Sequence, residues 1–283
     1  NLTGSRGIED VSDVIWPEGA LPGFLLEDPG LMEAIQQQIT TVDAAGRLHI
    51  PVFITETLRA EPATDRPGDL YFNSAAAVQF RPGAASLISP YYDKQKLVLG
   101  GEYIPFAATA RKVGLTTLSS AFESMTPGKT GNVPDIAGLP PVSIQICFEV
   151  LFPGFTPKTL RPSGKKPKWI LNLSNDSWYG NSTGPRQHIN QARYRAIEEG
   201  LPIVRSTSGG ISGVFDPFGR EITSLGVKDE GVIDTRLPNY SANAAYKRGF
   251  NMYWALLNLI VLILCSAGLQ LRRKAALALH LQK

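Results

Sequence analysis

The chain has 283 residues, of which 43% are hydrophobic and 19% are charged, and this composition is typical of a globular protein that buries a sizeable core. It excludes an intrinsically disordered chain. The formal net charge is only +3 and the basic residues are scattered, so nucleic acid is not an expected partner.

Short predicted strands and helices alternate along the chain, which indicates an α/β fold with helices covering the sheets. The predicted strands are 11–16, 48–55, 70–80, 142–146, 169–173, 201–206, 211–216 and 231–234. A helix is predicted over 31–41, with Asp28 as N-cap and Pro29 in its first turn. A second helix is predicted over 185–200, closed by Gly200.

Two stretches rich in Gly, Pro, Ser, Thr and Lys, at 105–140 and 153–168, predict long loops. Loops of this length in a compact domain act as lids or binding flaps. The chain has only two cysteines, Cys147 and Cys265, and a disulfide between them is not expected. Its three histidines are too widely spaced for a recognisable zinc site, so no metal is predicted.

The segment 250–271 reads FNMYWALLNLIVLILCSAGLQL and carries no charge. As a helix it would be roughly 33 Å long, which is enough to cross a bilayer. Tyr253 and Trp254 at one end are typical of a membrane interface, and the basic residues 272–274 at the other end favour a cytoplasmic C-terminus. We therefore predict a transmembrane helix, with a buried core helix as the alternative.

The N-terminal region carries no signal peptide and begins with Asn1 rather than methionine. A domain that must cross a membrane needs an export signal, so we expect this chain to be a fragment that lacks upstream membrane helices. The sequence predicts a catalytic domain over 1–237, a linker over 238–249, the membrane helix over 250–271 and a tail over 272–283.

Three segments combine a reactive side chain with a strand end, and they carry Glu18, Lys94 and Cys147. Glu18 follows the first strand, Cys147 directly follows the strand 142–146, and Lys94 precedes Glu102 by eight residues. A thiol becomes a strong nucleophile only as a thiolate, which needs a general base or a nearby cation. Glu18 could accept the thiol proton, and Lys94 could stabilise the thiolate and the oxyanion of a tetrahedral intermediate. Glu102 could keep Lys94 charged and oriented.

These motifs occur in the order W-P-E, then a lysine followed by G-E-Y-x-P, then I-C-x-E. This order resembles the Glu-Lys-Cys pattern of the nitrilase (carbon–nitrogen hydrolase) superfamily. Within that superfamily, the downstream segments NLSNDSWYG (172–180), GPRQH (184–188), ARYRAIE (192–198) and RST (205–207) resemble the apolipoprotein N-acyltransferases. The resemblance covers about residues 10–271.

The resemblance implies an α-β-β-α sandwich on the periplasmic face of the bacterial inner membrane, with no cofactor or metal. It also implies that Cys147 attacks the sn-1 ester of a phospholipid and forms a thioester. The acyl chain then passes to the amine of diacylglyceryl-cysteine at the N-terminus of an apolipoprotein. Glu18 would be the general base, Lys94 the thiolate and oxyanion stabiliser, and Glu102 the supporting carboxylate. Phospholipid, diacylglyceryl-apolipoprotein and the membrane are the expected partners.

Further candidates for substrate binding or support are Trp16, Phe148, Glu149, Asn175, Trp178 and Tyr179. The backbone N–H of Phe148 is a candidate second oxyanion donor, and Glu149 a candidate supporting group. Trp178 and Tyr179 could wall an acyl pocket, although aromatic residues after a strand are core residues about as often. His188 is expected to be a structural hydrogen-bonding residue.

The chain departs from the usual residues of the family at Leu99, Gly100, Phe148 and Ser208, none of which belongs to the triad. Two alternatives stay open. The first is a membrane-anchored nitrilase-type amidase that gives its acyl-enzyme to water. The second is a catalytically inactive nitrilase-like scaffold that binds lipid or a partner protein.

Overall fold

The computed structural model of the protein describes residues 3, 7–21, 23–43, 45–65, 67–103, 125–129, 135–158, 166–240, 257, 259–266 and 268. The chain divides into two compact units, Asn1–Ala245 and Tyr246–Lys283. In chain order, the first unit contains β1 (Asp13–Ile15), α1 (Pro29–Ile39), β2 (Thr41–Val42), β3 (Leu48–His49), β4 (Val52–Pro62), β5 (Asp69–Gln79), β6 (Leu87–Ile88), β7 (Tyr92–Asp93), β8 (Val142–Ile146), α2 (Phe155–Lys158), β9 (Trp169–Asn175), α3 (Gly184–Glu199), β10 (Ile203–Ser208), β11 (Ser212–Phe215) and β12 (Glu221–Leu225). Short 3₁₀ helices lie at Ile8–Asp10, Leu25–Glu27, Cys147–Leu151 and Ser177–Tyr179.

Two five-stranded sheets form the framework of the first unit. The first sheet has the order β1-β4-β5-β6, with β7 also paired to β5, and the second has the order β12-β11-β10-β9-β8. Strand β1 is parallel to β4, and β8, β9 and β10 are parallel to one another. Strands β2 and β3 form a separate two-stranded ribbon.

Three apolar clusters stack the sheets and helices into four layers. The central cluster joins the facing sides of the two sheets and includes Ile54, Ala75, Ile144 and Leu173. A second cluster packs α1 against the outer side of the first sheet, and a third packs α3 against the outer side of the second sheet. The predicted α-β-β-α sandwich is thus the architecture of the first unit.

Local sequence determines where the two long helices begin and end. The Asp28 carboxylate caps α1, because its Oδ1 accepts a hydrogen bond from the Leu31 N–H at 3.0 Å, and Pro29 occupies the first turn. Helix α3 ends at Gly200, whose φ of 65° lies in the left-handed region that favours glycine. Both features were predicted from the sequence.

Two strand predictions need correction. The predicted strand 231–234 is wrong, because those residues form no strand and are mostly exposed. The edge strand of the second sheet is β12 instead, which pairs antiparallel with β11. Its polar sequence EITSL is only partly buried and gives a weak strand signal. The strand predicted over 48–55 is two strands, β3 and β4. Pro51 lies in the break between them and cannot donate a ladder hydrogen bond.

The predicted membrane helix 250–271 lies largely outside the described residues, which in this region are 257, 259–266 and 268. Residues 259–266 are helical. Within the part of the chain that the structure describes, no helix is both long enough and apolar enough to span a bilayer. Most of the predicted loop 105–140, much of 153–168 and the tail 272–283 also lie outside the described residues, and the boundaries at 237 and 249 stay predictions.

The cap of α1 gives a stability prediction. Replacing Asp28 by Ala leaves the Leu31 N–H without its side-chain acceptor and should lower the free energy of unfolding by about 1 kcal/mol in chemical denaturation. Asp28→Ser, which keeps a capping oxygen, should retain most of that stability. Equal stability of the Ala and Ser variants would contradict a capping role.

Candidate active site

Three of the four predicted catalytic residues follow strands, and these strands belong to both sheets. Lys94 directly follows β7, Cys147 directly follows β8, and Glu18 lies just beyond β1, after Pro17. Each residue therefore lies beyond the carboxyl end of its strand. The site therefore forms where the two sheets meet.

Lys94 is the centre of the charged cluster. Its Nζ lies 2.8 Å from Glu102 Oε1 and 3.6 Å from Glu18 Oε1, and its side chain is only 1% exposed. Burial opposes the charge of Lys94, but the acidic groups around it outweigh burial and raise its pKa above the ordinary lysine value. Lys94 is therefore a permanent cation at neutral pH.

Asn73 connects the two carboxylates and was missed in the sequence. Its Nδ2 donates to Glu18 Oε1 at 2.9 Å and to Glu102 Oε1 at 3.0 Å, so each of its two amide protons has one carboxylate acceptor. Glu102 is further fixed by the Val98 N–H, which donates to Glu102 Oε2 at 2.8 Å. The available signal was an asparagine inside an otherwise favourable strand, β5, where asparagine is uncommon.

The second sheet holds Glu18 in place. The Asn175 N–H donates to Glu18 Oε2 at 2.8 Å, and the Ser208 hydroxyl donates to the Glu18 carbonyl oxygen at 3.1 Å. Gly19 has a φ of 68°, and a Cβ at that position would lie only 2.9 Å from Asn175 Nδ2. The turn after Glu18 therefore requires glycine for both its conformation and its close approach to Asn175.

Cys147 occupies a strained turn between β8 and a 3₁₀ helix. Its φ is 52°, and among the residues that the structure describes it is the one non-glycine residue with a positive φ. This conformation costs about 1–2 kcal/mol. The Asn172 Nδ2 stabilises it by donating to the Cys147 carbonyl oxygen at 3.2 Å and to the Gln145 carbonyl oxygen at 2.9 Å. Such a strand-to-helix turn is typical of an enzyme nucleophile.

The resting state of Cys147 is a neutral thiol. Burial, followed by the negative charge of Glu18, raises the pKa of this thiol to about 12 against the opposing effect of Lys94. The Ser174 side chain and the Asn175 N–H also hydrogen-bond the sulfur and lower its pKa. The thiol therefore needs a base at the moment of attack, and Glu18 is the ionisable neighbour suited to that task.

Glu149 connects the segment around Lys94 to β8, the strand that precedes Cys147. Its carboxyl group accepts hydrogen bonds from the N–H groups of Gln95, Lys96 and Ile146 at 2.7, 2.9 and 2.8 Å, and from the Tyr92 hydroxyl at 2.8 Å. Burial raises the pKa of this fully buried carboxyl group to about 7. Glu149 therefore links the segment after β7 to the end of β8, and the supporting role predicted for it stays a prediction.

The predicted aromatic candidates separate into two groups. Trp178 is 77% exposed, and it is not a core residue; its ring lies beside the turn that contains Gly101, where a Cβ would be 3.9 Å from Trp178 Cη2. Tyr179 and Leu99 are also exposed. Trp16 packs edge-on against Phe53 in the outer core, with ring centroids 5.0 Å apart, so its substrate-binding role stays a prediction.

The sequence of residues 9–246 matches the family described as carbon-nitrogen hydrolase. The chain belongs to this family. It is 35% identical to the apolipoprotein N-acyltransferase of Rhodopseudomonas palustris over 92% of this chain and 46% of that protein. It is also 35% identical to the enzyme of the same name from Bradyrhizobium diazoefficiens, over 96% of this chain and 47% of that protein. The chain thus spans about half the length of the curated relatives it matches.

Solved structures confirm the fold. An amidase from Nesterenkonia sp. AN1 superposes with a TM-score of 0.51 at 14% identity, over 80% of each chain. A mutant of the amidase from Nesterenkonia sp. AN1 superposes with a TM-score of 0.50 at 14% identity, over 90% of this chain and 89% of the amidase. The resemblance to carbon-nitrogen hydrolases and to apolipoprotein N-acyltransferases predicted from the motifs is confirmed.

Glu56 is a further acidic residue of this site that the sequence did not reveal. It lies on β4, is buried, and its Oε2 accepts a hydrogen bond from the Gly19 N–H at 3.0 Å. Burial, reinforced by the charges of Glu18 and Glu102, raises its pKa from 4.5 to about 7. Glu56 therefore keeps its proton in the folded protein at pH values where an unfolded chain has lost it.

This shift predicts a pH-dependent stability. Between pH 4.5 and about 7 the folded state binds more protons at Glu56 than the unfolded state, so its contribution to stability is lost as pH rises through that window. Glu56→Gln keeps an acceptor for the Gly19 N–H and removes this loss. The unfolding free energy of the variant relative to that of the parent should therefore rise by on the order of 2 kcal/mol from about pH 5 to about pH 8.

The measurement is denaturant unfolding of each protein at the two ends of this pH range. Glu33→Gln, at an exposed position on α1, is the matched control. It should show the same pH dependence as the parent protein. A Glu56→Gln variant whose stability follows the parent at both pH values would show that Glu56 ionises normally in the folded state.

Proposed function

We propose that this chain is the catalytic part of an apolipoprotein N-acyltransferase, which moves an acyl chain from a phospholipid to the N-terminal amine of diacylglyceryl-cysteine apolipoproteins. The observation that carries the proposal is the convergence of Glu18, Lys94 and Cys147 in a chain 35% identical to proteins of that name. The first step loads the acyl chain onto the protein, and the second delivers it.

In the first half-reaction Glu18 takes the proton of Cys147, and the sulfur attacks the carbonyl carbon of the phospholipid sn-1 ester. The Lys94 ammonium stabilises the thiolate and then the oxyanion, with the Phe148 N–H as the proposed second donor. Phe148 lies in the first turn of a 3₁₀ helix, where backbone N–H groups lack partners within the helix. The tetrahedral intermediate expels the lysophospholipid alkoxide, which takes the proton from Glu18. Cys147 is left as a thioester.

In the second half-reaction the α-amine of the diacylglyceryl-cysteine attacks the thioester carbonyl carbon. Glu18 takes a proton from the amine as the new C–N bond forms, and the C–S bond breaks. The leaving thiolate of Cys147 regains the proton from Glu18. The same base therefore serves both halves, and its fixed position between Asn73 and the Asn175 N–H suits that double use.

The exposed aromatic surface beside the site fits a lipid substrate. Leu99 and Trp178 present large apolar groups to solvent at the turn that carries Glu102, and the exposed Tyr179 follows Trp178 in the chain. We assign this surface to the wall of the acyl-chain site. In keeping with a lipid substrate, we also propose a membrane helix over 250–271, with the catalytic unit on the periplasmic side of the inner membrane and the tail in the cytoplasm.

The proposal is tested with the protein in detergent or in bilayers, a phospholipid labelled on its sn-1 acyl chain, and a diacylglyceryl-cysteine peptide. The expected product is peptide carrying the label on its α-amine, together with lysophospholipid. Cys147→Ala should abolish both products because no thioester can form, whereas Cys265→Ala should retain them.

Other outcomes would replace the proposal. Label released as free fatty acid, or turnover of small amides without peptide acylation, would indicate the hydrolytic amidase. Transfer that persists in Cys147→Ala would remove the thioester mechanism. Binding of lipid without any turnover in a folded parent protein would indicate an inactive scaffold.

Asn73 provides a test of how the acids are oriented. Asn73 bonds the two carboxylates rather than the sulfur. Asn73→Leu removes both amide donors, so kcat should fall by roughly tenfold to a hundredfold while KM for the phospholipid stays close to that of the parent. Gln79→Leu, at the far end of β5, is the control and should change neither constant. A raised KM with unchanged kcat would contradict the orienting role.

A further inference from the structure

A buried charged cluster adjoins the nucleophile and has no part in the mechanism above. The Asp176 carboxylate is fully buried, and its Oδ2 accepts from Arg205 Nη2 at 2.7 Å. Its Oδ1 accepts from His188 Nδ1 at 2.9 Å, as a carboxylate that can only accept requires. Burial opposes the charge, but His188 and Arg205 outweigh it and lower the pKa of Asp176. His188 is thus the structural hydrogen-bonding residue that the sequence predicted.

Two chains of hydrogen bonds run from this cluster to Cys147. In the first, the Ser174 hydroxyl donates to Asp176 Oδ1 at 2.9 Å and also contacts the Cys147 thiol. In the second, Arg205 Nη1 donates to Asn172 Oδ1, and Asn172 Nδ2 donates to the Cys147 carbonyl oxygen at 3.2 Å. The cluster therefore reaches both the reactive sulfur and the strained backbone of the nucleophile.

The Ser174 hydroxyl has one proton and two possible acceptors. While Cys147 is a neutral thiol, the Ser174 hydroxyl donates its hydrogen bond to Asp176, which leaves a lone pair of the serine oxygen available to the S–H group. Once the thiol proton has passed to Glu18, the sulfur is a charged acceptor that the same hydroxyl can reach by rotation. Asp176 then still keeps its donors from Arg205 and His188.

We propose that Ser174 is a positioning residue for the nucleophile, whose hydroxyl turns from Asp176 to Cys147 Sγ when the thiol loses its proton. The assignment deepens the proposed function, because it rests on Cys147 acting as the nucleophile. No bond to carbon or sulfur changes in this step, and the proton stays on the serine oxygen throughout. The hydroxyl donates to the sulfur only after the thiol has lost its proton. It therefore stabilises the thiolate and leaves the resting thiol neutral.

Other groups also face the sulfur and set its electrostatic surroundings. They are Glu18 beyond β1, Lys94 beyond β7, and Tyr179 beyond β9, together with the Asn175 N–H. Replacing Ser174 by Ala leaves all of them in place. A change in the reactivity of Cys147 in that variant therefore reports the serine hydroxyl.

The test measures the rate at which iodoacetamide alkylates Cys147 across roughly pH 6 to 10, in a Cys265→Ala background so that one thiol reacts. Ser174→Ala should slow alkylation about tenfold at about pH 8, since a hydrogen bond to the thiolate is lost. Ser212→Ala is the matched control. That hydroxyl bonds only the Thr207 backbone, at 3.1 and 3.3 Å, and its loss should leave the rate unchanged.

A second variant distinguishes rotation of the Ser174 hydroxyl from a purely structural role of Ser174. Asp176→Asn replaces the charged acceptor of the Ser174 hydroxyl by a neutral amide and so weakens that hydrogen bond. The alkylation rate of Cys147 in this variant should equal or exceed that of the parent. In a Ser174→Ala background the same change should have no effect, because the serine carries the influence. Chemical denaturation of each variant shows which of them remain folded.

A folded Ser174→Ala variant that alkylates like the parent would overturn the proposal. So would an Asp176→Asn change that slows alkylation equally with and without Ser174. Alkylation needs no acyl donor, so these results are independent of acyl transfer. Loss of reactivity in Ser174→Ala alongside a parent that transfers no acyl chain would retain the Ser174 assignment and reject the transferase.

Discussion

The site depends on one buried cation, Lys94, held between two carboxylates. An ammonium with 1% exposure is tolerable only if acceptors replace its hydration, and Glu102 and Glu18 supply them. Two carboxylates so close together repel each other unless a cation and donors compensate, and Asn73 provides one N–H for each. The position of Lys94 therefore fixes the two acids, and through them the base that faces Cys147.

The two-sheet architecture makes this arrangement rigid. The first sheet supplies Lys94 and Asn73, and the second supplies Cys147 and the Asn175 N–H that holds Glu18. The central apolar cluster packs the two sheets together, so neither half of the site can move without disturbing the core. The strained left-handed conformation of Cys147 is maintained by hydrogen bonds from the buried Asn172.

The sequence allowed much of this to be predicted. Glu18, Lys94, Glu102 and Cys147 each follow a recognisable local motif, and a helix cap such as Asp28 is a local signal as well. The alternation of strands and helices indicated an α/β fold, and the resemblance to carbon–nitrogen hydrolases implied the sandwich. Strand β12 was missed because its exposed polar residues carry little periodicity, and 231–234 was wrong because a short apolar run does not show whether a partner strand exists.

Asn73, Glu56 and Ser174 could not be found in this way. All three lie inside strands, and each reaches the site only through pairing or packing of segments far apart in the chain. Glu56 meets the turn after Glu18 across 37 residues, and Asn73 meets Glu18 across 55. Local patterns cannot show such contacts, and a buried polar side chain in a strand is a hint that gains meaning only from the fold.

The central claim is that the Lys94 ammonium makes the Cys147 thiolate accessible, and the rate of Cys147 alkylation in charge-matched variants tests it most directly. Lys94→Met combined with Glu102→Gln removes the cation while keeping the net charge of the site, and Lys94→Arg keeps the cation. The account predicts that the double variant, folded, alkylates at least about tenfold more slowly than the parent at about pH 8, with Lys94→Arg between the two. A folded double variant that alkylates as fast as the parent would contradict it.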